Sequence, residues 1–396
     1  MKILFLAQRL PPDRLRDGED LRIYHLARGL SRNHELLFVG YENDADQSAE
    51  SAQLFDKIHL LPEPSKQPLR GNLSERLIEA FSPSCLYPFD AQLFKTVSGI
   101  VDRGSVEAIW IPSWRMIPYS TSLPGVPVFI DVMDDGVLEH FRDLRQSIAW
   151  QEWILKLKRL VMICLFERKY FSAATLCCVV TEEDAKALKR VCPKARIAVV
   201  PNGVDSDFFR PGTCSHDDDG SIVFEGNMSF TPNIDAATYF CTSIMPRITA
   251  VKPHVKMQIV GRSPSPEVER LASDHVIVTG TVSDIRPYLE RSALFVCPMR
   301  KGAGIKNKIL QAWAMAKPVI ATSIAVAGLH ADVGRNILVA NNPDEFADLT
   351  LRLLDDPERR RSLGQEGRAT VLQHHSWDRQ VNLLETRMTE AADVFA

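Results

Sequence analysis

The sequence predicts an α/β protein of two doubly wound domains. Three observations predict it. Short strands, apolar on both faces, alternate with amphipathic helical patterns, as in a parallel sheet covered on both sides. That alternation runs twice, interrupted by one polar, turn-rich stretch, FRPGTCSHDDDG at 209–220. The chain has 396 residues, 45% of them hydrophobic, which is enough for two cores.

In the first half the predicted strands are 2–7, 35–40 (ELLFVG), 57–61, 107–112 (EAIWIP), 127–132 (PVFIDV), 175–180 (TLCCVV) and 197–201. Residues 20–31 read as an amphipathic helix through Leu21, Ile23, Tyr24, Leu26, Ala27 and Leu30. After the linker the strands resume at 221–225, 255–260, 276–279, 294–298, 318–322 and 336–340. Helices are predicted at 233–249, 266–272, 285–291, 309–315, 343–355, 357–374 and 377–392. Asn342-Pro343, Asp356-Pro357 and Ser376 supply start signals for the last three. The expected domains are therefore 1–208 and 221–376. In open sheets of this kind the ligand lies at the carboxyl ends of the strands. Two such domains facing each other leave a cleft between them, where a site is expected.

A net charge of −3 gives no reason to expect nucleic acid. The eight cysteines include no CxxC pair, so buried thiols in a reducing compartment are expected and a zinc site is not. The opening MKILFLAQRL reads as a first strand rather than a signal peptide. No apolar run approaches the roughly 20 residues of a spanning helix. These features point to a cytosolic protein. The segment 150–168, WQEWILKLKRLVMICLFER, has two tryptophans and a KLKR cluster. It reads either as a buried helix with a basic end or as a surface helix in peripheral contact with anionic lipid at the inner membrane.

One unit stands out chemically. The strand at 293–298 enters a loop with Arg300, Lys301, Gly302, Gly304, Lys306 and Lys308, which opens a helix near Ile309. Glycines admit close approach of a ligand to the backbone, and the N–H groups of a helix start favour an anion. The unit therefore fits a phosphate or diphosphate, with Arg300, Lys306 and Lys308 as its charged contacts. An ordinary βαβ crossover with a solvated basic loop is the other reading. Arg262 ends a strand and is a second phosphate or base-side candidate. Asp131, Asp134 and Asp135 close the strand PVFIDV and are candidates for acceptor binding or deprotonation; Asp134-Asp135-Gly136 also reads as a turn with a helix cap. Two DxD matches, Asp44-Ala45-Asp46 and Asp205-Ser206-Asp207, fall in polar loops and read as chance, so no metal is expected.

The ordered set of VPNGVD (200–205), EG (225–226), IVGR (259–262), VTGTVSDIRPYL (278–289), ALFVCPMRKGAGIKNKILQAWAMAKPVIAT (293–322) and SW (376–377) resembles family 4 glycosyltransferases of bacterial polysaccharide systems. The resemblance is collinear over about 170–384 and extends to MKILFLAQRLPP and GEDLRIYHLARGL near the start. It implies the GT-B fold, with two facing Rossmann-like domains, an interdomain cleft and a last helix, 377–396, crossing back to the first domain. It implies a retaining transferase that takes a nucleotide-diphosphate sugar in the C-terminal domain and a glycan or lipid-linked acceptor in the N-terminal one. No separate cofactor is implied, and the leaving diphosphate itself can assist the attacking hydroxyl.

Residue by residue, the resemblance puts the donor at Gly226, Asn227, Arg262, Arg300, Gly302, Ala303, Gly304, Lys306, Lys308 and Gln311. Gly18 stands where the family has a glycine pair beneath the phosphates. Asn227 replaces an arginine common in the family, which shifts the diphosphate onto Lys306 and its neighbours. Ala303 and Gln311 occupy the positions of two family glutamates that bind the sugar and the ribose. Gln311 retains hydrogen-bonding capacity, whereas Ala303 leaves the sugar to the backbone N–H groups around it. Asp134 and Lys306 are the residues expected to act in the reaction. A noncatalytic binding subunit of the same fold and a nucleotide-sugar epimerase are the competing readings.

Overall fold

A computed structural model of the chain describes residues 1–11, 18–42, 49–64, 86–87, 89–123, 125–133, 135–145, 150–212, 220–302 and 304–395. It divides into two compact units, Met1–Pro201 with Gln380–Ala396, and Asn202–Arg379. The chain passes between units at Pro201 and Asn202, upstream of the expected linker. The reason is local. Asn202 is fully buried and bonds through Nδ2 to Asn307 Oδ1 at 3.1 Å. The Val204 N–H donates to His375 O at 2.8 Å, and Val204 forms a parallel bridge with Ser376. The NGVD part of VPNGVD, from Asn202 on, is thus held inside the second unit.

The first unit contains β1 (Lys2–Leu6), α1 (Gly18–Leu30), β2 (Glu35–Tyr41), α2 (Ala49–Ala52), β3 (Lys57–Leu61), α3 (Ala91–Val101), β4 (Ala108–Ile111), β5 (Val128–Asp131), α4 (Gly136–Arg145), α5 (Trp150–Tyr170), β6 (Leu176–Val179), α6 (Glu182–Val191) and β7 (Ile197–Val199). Among the described residues its sheet has seven strands in the order β3-β2-β1-β4-β5-β6-β7, all parallel. The alternation of side chains along each strand builds two cores. Leu4, Leu6, Leu37, Val39, Ile109, Ile111 and Ile130 face one layer. On the other, Phe5 stacks with Trp110 at 6.3 Å between ring centroids.

The second unit contains β8 (Ile222–Glu225), α7 (Thr231–Tyr239), α8 (Met245–Thr249), β9 (Met257–Val260), α9 (Pro266–Glu269), β10 (Val276–Gly280), α10 (Arg286–Arg291), β11 (Leu294–Cys297), α11 (Asn307–Ala314), β12 (Val319–Ala321), β13 (Leu338–Val339), α12 (Pro343–Asp355), α13 (Pro357–His374) and the start of α14 (Trp377–Phe395). Its parallel sheet runs β10-β9-β8-β11-β12-β13, the same winding as the first. The single helix expected at 233–249 is two, α7 and α8, joined by a π turn at Phe240–Ile244. Pro246 explains the break. It has no N–H for the ladder, and the Met245 N–H instead donates to Phe240 O, five residues back. Most of α14 belongs to the first unit, where Val381 lies on Gly29 of α1 and His34 Nε2 is 3.0 Å from Glu385 Oε1.

Six cysteines lie among the described residues without disulfides, and Cys177, Cys178, Cys192 and Cys297 are buried. Burial raises the pKa of each, that of Cys192 to about 12 and that of Cys297 to about 11. Among the described residues no helix is long and apolar enough to cross a membrane.

The buried reading of the 150–168 segment needs correction. In α5 only Met162, Ile163, Phe166, Glu167 and Tyr170 are buried, while Trp150, Trp153, Ile154 and Leu155 are exposed. Glu167 is fully buried and accepts a 3.1 Å bond from the Val137 N–H through Oε1. Its Oε2 has no partner. Burial, reinforced by the charge of Asp135, raises its pKa from 4.5 to about 9. The native chain therefore keeps a proton that the unfolded chain releases. The associated stability is complete below about pH 4.5 and is lost as pH rises through about 9. Glu167→Gln should remove this dependence. Urea unfolding between pH 5 and 9 should show wild type losing up to about 1.4 kcal/mol per pH unit relative to the variant; parallel curves would contradict the assignment.

Candidate functional site

Both sheets reverse their strand order at the first strand, between β1 and β4 in one unit and between β8 and β11 in the other. Such a switch point opens a crevice at the carboxyl ends of the strands. In the second unit, β8 ends at Glu225 and continues into Gly226 and Asn227, β9 continues into Gly261 and Arg262, and β11 continues into the basic loop before α11. The motifs chosen from sequence thus meet on one edge.

Two glycines make this edge possible. Gly226 has φ 153° and Gly261 φ 148°, which side chains disfavour. A Cβ on Gly261 would lie 1.8 Å from the Gly226 carbonyl oxygen. The backbone ends of β8 and β9 therefore touch directly. Asn227 closes the turn, its Oδ1 accepting from the Ser229 N–H at 3.1 Å and from the Ser229 hydroxyl at 2.8 Å.

The three predicted phosphate cations divide by environment. Lys308, in the first turn of α11, reaches back under β8. Its Nζ donates to Glu225 O at 2.8 Å and to Asn233 Oδ1 at 2.7 Å and sits 4.4 Å from the Phe224 ring centroid. Burial around the amine holds its pKa below the usual lysine range, against the opposing pull of Glu225. Asn233 Nδ2 then donates to Asn227 O at 2.8 Å. Lys308 is thus a brace beneath the crevice. Arg300 turns onto α7, where it forms a two-pronged bond to Asp235 at 3.0 and 2.7 Å and lies 4.4 Å from the Tyr239 ring centroid. Lys301 Nζ is 3.6 Å from the same carboxylate.

Lys306 is different. It is buried at the N-cap of α11, and its Nζ donates to Gly304 O at 2.9 Å. A Cβ on Gly302 would be 3.6 Å from that amine. Gly302 and Gly304 have φ 109° and 68°, so the loop curls around the lysine. Ala303 lies outside the described residues. Arg262 is partly buried at the end of β9. Among the described residues neither its guanidinium nor the Gln311 side-chain amide makes a hydrogen bond or ion pair. Sequence reading missed Asn233 and Asp235, which fall in a helix start with no motif around them.

In the first unit Gly18 opens α1, followed by Glu19 and Asp20 in its first turn. Asp20 pairs with Arg9 at 3.1 Å. Asp131, expected on the acceptor side, is buried in a fork with Arg22 of α1, Oδ2 accepting from Nε at 2.9 Å and Oδ1 from Nη2 at 2.7 Å. It is therefore a structural anchor. Asp135 caps α4 by accepting from the Leu138 N–H at 2.6 Å, and burial raises its pKa to about 6. Asp134 lies outside the described residues. Among the described residues no group of three or more His, Cys, Asp or Glu side chains is placed to hold a metal ion.

Residues 219–356 match the family described as Glycosyl transferases group 1. That match falls within the second unit and is a likeness to a group 1 glycosyl transferase domain. A GDP-mannose-dependent monoacylated alpha-(1-6)-phosphatidylinositol monomannoside mannosyltransferase of Corynebacterium glutamicum is 28% identical over 212 residues, covering 47% of this chain and 55% of that protein. An uncharacterized 44.6 kDa protein in the cps region of Klebsiella pneumoniae is 24% identical over 136 residues, 32% of this chain and 35% of that one. The matched stretch thus spans about a third to about half the length of these relatives. Among solved structures, sucrose-phosphate synthase from Thermosynechococcus elongatus superposes with a TM-score of 0.73 at 16% identity over 98% of both chains. HepE of Anabaena in complex with UDP superposes with a TM-score of 0.69 at 14% identity over 98% of this chain and 100% of that one. This likeness is one of fold. The two units have the Rossmann-like α/β architecture of the GT-B fold.

The glycine contact gives a direct test. Gly261→Ala places a methyl group against the Gly226 carbonyl at a φ suited to glycine. It should destabilise the protein by at least about 1–3 kcal/mol, measured by urea unfolding. An unchanged midpoint would mean the two strand ends do not touch.

Proposed function

We propose that this chain is a retaining glycosyltransferase of the cytosol. It moves a sugar from a nucleotide-diphosphate donor to a glycan or lipid-linked acceptor of a cell-surface polysaccharide. One observation carries the reading: the glycine-lined loop around Lys306 opens α11 at the switch point of the second unit. HepE of Anabaena has been solved with UDP and with UDP-glucose, and the Corynebacterium relative uses GDP-mannose. Both support a nucleotide-sugar donor.

In this reading Lys306 and Arg262 meet the diphosphate, assisted by the start of α11, and the backbone N–H groups of 302–304 hold the sugar. Charge-assisted bonds are the strong ones, and donors already aimed at the leaving group stabilise the charge that grows there. Lys308 holds the floor of this crevice, Arg300 its flank. Gly226 and Asn227 form its rim, and Gln311 bonds a ribose hydroxyl. Gly18 and Asp134 belong to the acceptor-bearing unit, with Asp134 orienting the hydroxyl. The acceptor oxygen bonds to the anomeric carbon as the bond to the diphosphate breaks, and the hydroxyl proton passes to a departing phosphate oxygen. No step requires a protein nucleophile or a metal.

A binding subunit that kept the fold and lost transfer is favoured by Ala303 and Gln311, which replace two family glutamates. Purified protein incubated with a panel of nucleotide sugars separates the readings: transfer or slow donor hydrolysis supports an enzyme, binding without either supports the subunit. Lys306→Ala should weaken nucleoside-diphosphate binding by about 1.5–3 kcal/mol in a calorimetric titration. Unchanged affinity would remove Lys306 from the diphosphate site.

A further inference from the structure

Helix α5 has two apolar faces, and only one is covered. Met162, Ile163, Phe166 and Tyr170 pack inward. On the other side Trp150, Trp153, Ile154, Leu157, Val161 and Leu165 recur at spacings of three and four residues, forming one stripe along the helix. Trp150 is 71% exposed, Trp153 45%, Ile154 50%, Val161 50% and Leu165 46%. An apolar stripe of this length on a soluble surface marks an interaction site.

The charges around it select the partner. Lys158 follows Ile154 by one turn, and Arg168 and Lys169 follow Leu165 by one turn. The acids of α5 lie elsewhere: Glu152 is tied to Lys156 at 2.7 Å, and Glu167 is buried on the inward face. The adjoining α4 adds exposed Phe141 and Arg145, whose guanidinium carbon lies 5.7 Å from that ring centroid. A second copy of the chain meeting this stripe across a two-fold axis would bring like cations together. Anionic headgroups would neutralise them, while tryptophan suits the boundary between headgroup and acyl chain.

We infer that the outward face of α5 docks the protein in the plane of an anionic lipid bilayer. Trp150, Trp153 and Ile154 enter the headgroup boundary, and Arg168 and Lys169 lie against lipid phosphates. This contact is independent of whether the chain transfers sugar.

The test uses the full chain and vesicles of phosphatidylcholine with or without about one third phosphatidylglycerol. Wild type should co-sediment with the anionic vesicles at least about tenfold more strongly than with the neutral ones. Trp150→Ser/Trp153→Ser/Ile154→Ser should lose at least about tenfold of that binding. Arg168→Glu/Lys169→Glu should lose the preference for anionic lipid. Brominated lipids should quench the tryptophan fluorescence of the unsubstituted protein, a readout that does not depend on how the variants fold. Absence of both sedimentation and quenching would overturn the proposal. So would a dimer, seen by ultracentrifugation without lipid, that the tryptophan variant dissociates.

Discussion

The carboxyl edge of the second sheet is built over one amine. Lys308 leaves the first turn of α11, passes under the end of β8 and finds a carbonyl, an amide oxygen and an aromatic face. The arrangement is costly, since burial opposes its charge, and removing its acceptors would leave a cation uncompensated. It ties the helix after β11 to the strand on the other side of the switch point. The loop between β11 and α11 has its far end fixed by that tie, next to the point where Lys306 donates to Gly304 O. The crevice inherits its floor from Lys308 and its rim from the contact between Gly226 and Gly261.

The first unit uses the same device with a different outcome. Arg22 leaves α1 and meets Asp131 at the end of β5 in a buried fork. Asp135 and Glu167 add further buried carboxylates to the same edge. There the charged groups satisfy one another or hold protons. In the second unit Arg262 remains unengaged among the described residues, and Lys306 faces the loop interior. Two sheets with the same winding thus present different chemistry at equivalent edges. The duplicated fold alone does not place a ligand; the disposition of its charges does.

Much of the fold was legible because buried parallel strands are short, apolar on both faces and bounded by turns. The basic loop was legible for the same reason, since glycines and cations crowd a strand-to-helix turn. What the sequence could not separate was Lys306 from Lys308. They are two residues apart, but one opens the helix and the other begins it, so their amines point to different places. Asn233 and Asp235 were invisible because their roles come from partners more than sixty residues away, such as Arg300. Residues 150–168 stayed ambiguous because an apolar pattern nearly all round a helix does not say which side the protein covers. Pro246 was passed over inside the helix predicted at 233–249, because the apolar periodicity continues on both sides of it while its missing N–H interrupts the ladder.

Adjacent residues on β6 offer a different use of the architecture. Cys177 and Cys178 are both fully buried, yet successive side chains of a strand point to opposite faces. Cys177 belongs to the layer that includes Leu4 and Phe166, while Cys178 looks the other way, toward the Arg22–Asp131 fork. Both thiols stay protonated and out of reach while their own layer is shut. A single strand therefore carries two silent reporters, one for each side of the sheet. Their separate rates of alkylation would reveal which layer of helices lifts first when the unit opens.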